Sequence, residues 1–122
     1  MMKSTRQITG TQGEQIAAQH LQQQGYVLLE AIWRCAHGEI DLVMQQADML
    51  VFVEVKTRRR ADTAAAFLNI TPRKRERLIA SAHTYLAQKA LENSHWRIDG
   101  IAVILPRTGE PVVEHVEDVL GW

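Results

Sequence analysis

The chain has 122 residues, one cysteine, a hydrophobic fraction of 46%, a charged fraction of 23% and a formal net charge of zero. That length sets a single domain around one core, and a lone Cys35 excludes an intrachain disulfide. No apolar run approaches the ~20 residues of a membrane helix, and the first ten residues lack the apolar stretch of a signal peptide, so a cytoplasmic protein without membrane partners is expected.

Residues 1–10 read as a flexible N-terminal arm and 11–122 as one domain. Thr11 to Gln24 reads as a helix, with Ile16, Ala17 and Leu21 at helical spacing. Thr11 and Glu14 fit a capping box, and Gly25 fits a C-terminal stop. Tyr26 to Trp33 is apolar and β-rich, hence a strand, and Arg34 to His37 a turn. Gly38 to Gln45 alternates, with Ile40, Leu42 and Met44 on one face and Glu39, Asp41 and Val43 on the other. Gln46 to Asp48 is short enough to close a hairpin.

Met49 to Thr57 carries the clearest strand pattern. Val51, Val53 and Val55 point one way, and Phe52, Glu54 and Lys56 the other. Arg58 to Asn69 reads as a loop. Thr71 as N-cap and Pro72 at the first position open a helix reaching about Ala90, with Leu78, Ala82, Tyr85 and Leu86 in register. Trp96 to Leu105 and a weaker Pro111 to Val116 close the chain as strands. The order α-β-β-β-α-β-β predicts an α/β fold with a central mixed five-stranded sheet flanked by helices.

Neutrality overall hides an uneven distribution. Residues 56–77 hold eight Lys/Arg against two acids, a net of +6, and residues 99–122 hold five acids against one base, a net of −4. A basic middle suits a polyanion, although a solvated helix face beside a charged loop would have the same composition.

The chemistry-bearing constellation lies in the second and third strands. Residues i and i+2 of a strand share a face, so Glu54 and Lys56 set a carboxylate beside an ammonium. The hairpin brings Asp41 toward Glu54. Paired carboxylates repel unless a cation bridges them, and hard oxygen ligands with open water positions suit Mg²⁺ or Mn²⁺. Lys56 could then orient or deprotonate an attacking water. Such a site suits phosphodiester cleavage. Taken alone, Glu54 and Lys56 are also an ordinary surface ion pair on one strand face. The adjoining Arg58, Arg59 and Arg60 favour the nuclease reading, because they set phosphate-binding charge next to acids for metal.

Gly38-Glu39-Ile40-Asp41-Leu42 followed by Phe52-Val53-Glu54-Val55-Lys56-Thr57-Arg58 resembles the PD-(D/E)XK nuclease superfamily. Within it, the match is to the YraN-like family of uncharacterised bacterial proteins. Gly13-Glu14, Gly25-Tyr26, Trp33-Arg34-Cys35 and the basic helix around Lys74 carry the same resemblance, over roughly residues 10–105. It implies a restriction-endonuclease-like core, similar to archaeal Holliday-junction resolvases. Carried over, Asp41, Glu54 and Glu14 become metal ligands, with Lys56 assisting. The analogy with resolvases, which pair two sites, implies a homodimer. Ile40 stands where the superfamily has Pro, and Ile98 and Gly100 depart from the Arg-Phe-Asp-Val expected on the late strand.

Glu14 thus has two readings, capping-box residue or ligand. Glu39, two residues before Asp41, is either an acid supporting the ligands or a solvated edge residue. Arg73, Lys74 and Arg77 begin a helix, where positive charge opposes the macrodipole and invites an anion such as phosphate. The five histidines show no metal-type pairing, and Cys35 and His37 read as turn or packing residues. The function expected is a Mg²⁺- or Mn²⁺-dependent nuclease hydrolysing phosphodiester bonds in DNA rather than RNA, branched or damaged DNA included. Its catalytic residues would be Asp41, Glu54 and Lys56, and Arg58, Arg59, Arg60, Arg73, Lys74 and Arg77 would bind nucleic acid. The alternative is a non-catalytic nucleic-acid-binding or adaptor module on the same fold.

Overall fold

The computed structural model describes residues 5–59 and 70–120. Arg60 and the rest of the expected loop up to residue 69 lie outside them, as do residues 1–4 of the expected arm. Helix α1 (Thr5–Gln23) leads into a hairpin of β1 (Val27–Cys35) and β2 (Gly38–Gln46). Then come β3 (Met49–Arg58), α2 (Pro72–Gln88), β4 (His95–Ile104) and β5 (Val112–Val116). The sheet order is β1-β2-β3-β4-β5. All neighbours are antiparallel except β3 and β4. A parallel pair needs a long crossover, and α2 belongs to it. This is the mixed α/β nuclease-like core that the element order predicts.

β3 is the central strand, and it is apolar on both faces because both are covered. Val51 and Val53 pack with Leu42, Met44, Ile101 and Val103 beneath Ala17 and Leu21 of α1. Phe52 packs with Val43 and Ile98 beneath Leu78, Ala82, Tyr85 and Leu86 of α2. Each large side chain removed from water stabilises the fold by about 1.5–3 kcal/mol.

α1 begins six residues earlier than the Thr11 cap predicts, so Thr11 and Glu14 lie inside the helix and form no capping box. Its end follows the sequence. Gly25 takes φ +92°, Gly25 N–H donates to Gln22 O and Tyr26 N–H to Leu21 O, and Tyr26 packs in the same core as Leu21. This is a Schellman cap with its hydrophobic contact. At α2 the expected cap forms: Lys74 N–H donates to Thr71 Oγ1 at 3.2 Å.

One face assignment changes. Ile40 joins the α2-side cluster instead of sharing the face of Leu42. The cause lies in β1, where Ala31 pairs with Leu42 and Trp33 with Ile40. Between them Ile32 sits at φ +52°, which breaks the simple alternation of the hairpin opposite Asp41. Ile98 is fully buried and Gly100 pairs with Val116, so the departures on the late strand leave β4 intact.

Candidate metal and nucleic-acid site

The site forms where β2 parts from β3. Their pairing runs from Gln46↔Met49 to Leu42↔Val53. Beyond it, the Val55 N–H donates to Asp41 Oδ2 at 2.7 Å, so the carboxylate is fixed by the backbone of the neighbouring strand. Asp41 and Glu54 are 9% and 7% exposed. Both line one cleft of about 200 Å³, with Gly38 and Glu39 of β2 on one side and Lys74, Arg77 and Ser81 of α2 on the other. Lys74, Arg77, Leu78 and Ser81 recur at i, i+3, i+4 and i+7, one stripe of the helix. Asp41 and Glu54 therefore open on the same side of the sheet.

α1 adds the third element. A Cβ built on Gly13 would collide with Thr57 Oγ1, so only glycine lets the helix approach β3 this closely. Glu14, the next residue, thereby reaches the site. Ligand oxygens of Glu14, Glu39 and Asp41 all lie within 4.8 Å of one another. Glu14 Oε2 is buried and has no hydrogen-bond partner.

The charges respond to this crowding. Burial, then the Glu54 carboxylate, pushes the Asp41 carboxyl up to about 8. Burial, then Glu39 and Glu54, raises Glu14 as well. Opposite them, Lys56 Nζ and Lys74 Nζ lie 3.5 Å and 2.5 Å from the same oxygen, Glu54 Oε1. Burial, then the adjoining Lys74, lowers the Lys56 amine below the usual lysine range. Burial opposes the charge of Lys74 too, but the Glu54 carboxylate outweighs it and holds the amine above that range. Arg34 pairs with Glu39 at 3.0 Å, but both side chains face solvent, where such a pair contributes little.

The donor set fits a divalent hard cation. Three carboxylates converge, one buried oxygen is orphaned, and burial and like charge keep two carboxyls from ionising readily. Asp41, Glu54, Lys56, Lys74 and Arg77 come together around the cleft, and Glu14 joins through Asp41. Arg58, Arg59 and Arg73 lie on the exposed surface. Glu39 enters the oxygen cluster itself, and its spacing from Asp41 was the available signal. His37 lines the cleft. Ser81 accepts a hydrogen bond from Cys35 Sγ at 3.5 Å, a contact that follows from α2 packing and that no local pattern announces.

A second polar cluster lies in β4 and β5. Asp99 is fully buried. It is bonded by Arg97 Nε (2.9 Å), Arg97 Nη2 (3.2 Å), His115 Nε2 (2.7 Å) and the Asp118 N–H (2.9 Å). His115, unassigned by sequence, has its partner here. Among the described residues, no helix is long and apolar enough to cross a membrane.

Comparison with known proteins places the whole arrangement in a family. A family model described as "Uncharacterised protein family UPF0102" matches residues 13–103. A UPF0102 protein of Dehalococcoides mccartyi is 39% identical over 98% of this chain and 98% of its own length. One of Roseiflexus castenholzii is 44% identical over 94% of each, and one of Herminiimonas arsenicoxydans is 45% identical over 83% of this chain and 81% of its own. From Gly13 on α1 to Val103 on β4, the matched span contains every residue of the acidic cleft, and the chain belongs to the UPF0102 family.

Proposed function

We propose that this protein is a Mg²⁺- or Mn²⁺-dependent nuclease that hydrolyses phosphodiester bonds in DNA, branched or damaged DNA included. The observation that carries the reading is the cleft in which buried Asp41 and Glu54 face Lys56, Lys74 and Arg77, with Glu14 and Glu39 beside Asp41. Asp41, Glu54 and Glu14 would hold the cation, and Glu39, whose oxygen lies within 4.8 Å of those of Asp41 and Glu14, would join them. When bound, the cation would polarise the phosphoryl oxygens and make water a better nucleophile.

The chain's own groups have separate tasks. The Val55 N–H holds Asp41 in place. Lys56, with its lowered proton affinity, exchanges a proton with the attacking water nearer neutral pH than a solvated lysine would. Arg77 supplies positive charge to the phosphate from across the cleft. Arg58, Arg59 and Arg73 attract the polyanion without reading its sequence.

The test is cleavage of single-stranded, duplex and branched DNA in Mn²⁺ by wild type, Glu54→Ala and Lys56→Ala. Both variants should lose about 10²-fold or more. A wild type that cuts while both variants cut equally well overturns the assignment. The exposed arginines need no metal, which favours a second reading as a non-catalytic nucleic-acid-binding module. Salt-sensitive DNA binding with no Mn²⁺ uptake at millimolar concentration, read by calorimetry, would select it.

A further inference from the structure

We propose that Lys74 is a resident counter-cation of Glu54, displaced by the divalent ion and passed on to the substrate phosphate, so that metal binding creates the anion site. The inference rests on the nuclease reading and goes beyond it by fixing an order of binding.

Lys74 stands in the first turn of α2, which contains no acid. A lysine there opposes the helix macrodipole. What pairs with it is a carboxylate across the cleft, Glu54, 7% exposed, with the Asp41 carboxyl adding to the attraction. Lys56 uses the same Glu54 oxygen. The two ammoniums differ in origin, however. Lys56 lies two residues along the same strand and stays beside Glu54 whatever binds. Lys74 reaches over from another element on a flexible four-carbon stem. Its stripe continues to Arg77, which opens on the same cleft.

Two ammoniums already share one Glu54 oxygen. Glu14, Glu39, Asp41 and Glu54 supply four carboxylates, and Lys56 and Lys74 are the ammoniums that touch Glu54. A divalent ion among these oxygens repels the ammonium nearest to it and weakens its hold on Glu54. Lys74 is the one free to retreat. Three residues along its own helix face lies Arg77, on the same cleft, and the two together would form a fork for one phosphate. Metal and phosphate then favour each other, and the coupling is reciprocal.

Calorimetric titration of the full chain with Mn²⁺ at fixed pH and salt tests this, using wild type, Lys74→Met, Lys74→Arg and Arg75→Met. Lys74→Met should bind Mn²⁺ about tenfold more tightly than wild type, since its competitor is gone. Arg75→Met removes the same charge from the same turn and should stay within about twofold. Lys74→Arg, which keeps the charge and guards against a folding defect in Lys74→Met, should match wild type. With saturating Mn²⁺, Lys74→Met should bind a phosphorothioate-linked oligonucleotide about tenfold more weakly than wild type. Equal or weaker Mn²⁺ affinity in Lys74→Met overturns the proposal and leaves the nuclease reading standing, and so does an unchanged oligonucleotide affinity. Failure of wild type to bind Mn²⁺ at all overturns both.

Discussion

The Asp41 carboxylate accepts the Val55 N–H at 2.7 Å, at the point where β2 parts from β3. The contact secures one oxygen at a cost. Asp41 is nearly buried and faces Glu54, Glu14 and Glu39, and its carboxyl is pushed up to about 8. The single bond from Val55 lowers it and is outweighed by burial and by the neighbouring acids.

Asp41→Asn should therefore stabilise the metal-free protein at alkaline pH. The folded-state value lies above the unfolded one, so the proton on Asp41 favours folding. That stability is fully present below about pH 4 and is lost as pH rises toward 8. Asparagine keeps an acceptor for Val55 and sheds the charge. A tenfold change in proton affinity corresponds to about 1.4 kcal/mol, so the gain should exceed about 1 kcal/mol, or about 3–5 °C in Tm. Thermal melts at pH 9 should show the variant above wild type, and melts at pH 5 should show the gap closing. Mn²⁺ should raise the Tm of wild type more than that of Asp41→Asn. A variant that melts below wild type at pH 9 would refute the electrostatic account.

Gly13→Ala should separate α1 from β3. Alanine is the better helix former by about 1 kcal/mol. Its Cβ would collide with Thr57 Oγ1 and meet Thr57 Cβ at 2.9 Å, and overpacking of this kind costs about 1–3 kcal/mol. The net change should be a modest loss of stability in urea. Mn²⁺ affinity should fall by a larger factor, because Glu14 moves with the helix. Thr57→Ala in the same chain removes the closer contact and should recover part of both losses. Unchanged metal affinity in Gly13→Ala would show that Glu14 does not serve the site.

These contacts also mark how far the sequence could be read. β3 was legible because Val51, Val53 and Val55 alternate strictly with Phe52, Glu54 and Lys56, and a strand has no other way to place them. Thr71-Pro72 announced α2, and Gly25 the end of α1, because both use local backbone chemistry. The start of α1 was not legible, since Thr11-x-x-Glu14 imitates a cap inside a continuing helix. The face of Ile40 was hidden because it depends on the backbone of Ile32 in another strand. Glu39 could be placed near Asp41, but its meeting with Glu14 depends on the packing of Gly13 on Thr57, a contact 44 residues apart in the chain. Asp99 and His115 meet only through the β4–β5 register.

That last pair carries a prediction independent of metal. Burial alone would raise the Asp99 carboxyl, but His115, Arg97 and the Asp118 N–H outweigh it and hold it below the usual carboxylate range. Arg97 also donates to Tyr26 Oη at 2.9 Å, so the network ties the entry to β1 to the last two strands. With the folded value below the unfolded one, Asp99 contributes stability above about pH 4 and loses it as pH falls through its folded value. Asp99→Asn leaves Arg97 and His115 facing a neutral amide in the interior. Removing one partner of a buried pair costs about 3–5 kcal/mol, a large part of the stability of a domain this size. Urea unfolding at pH 7 should show that loss as a lower midpoint with a similar slope. On acidification below about pH 4 the wild type should lose stability faster than Asp99→Asn, and the two midpoints should converge. A constant gap from pH 7 to pH 3 would mean that packing around residue 99, and not its charge, holds β4 and β5 together.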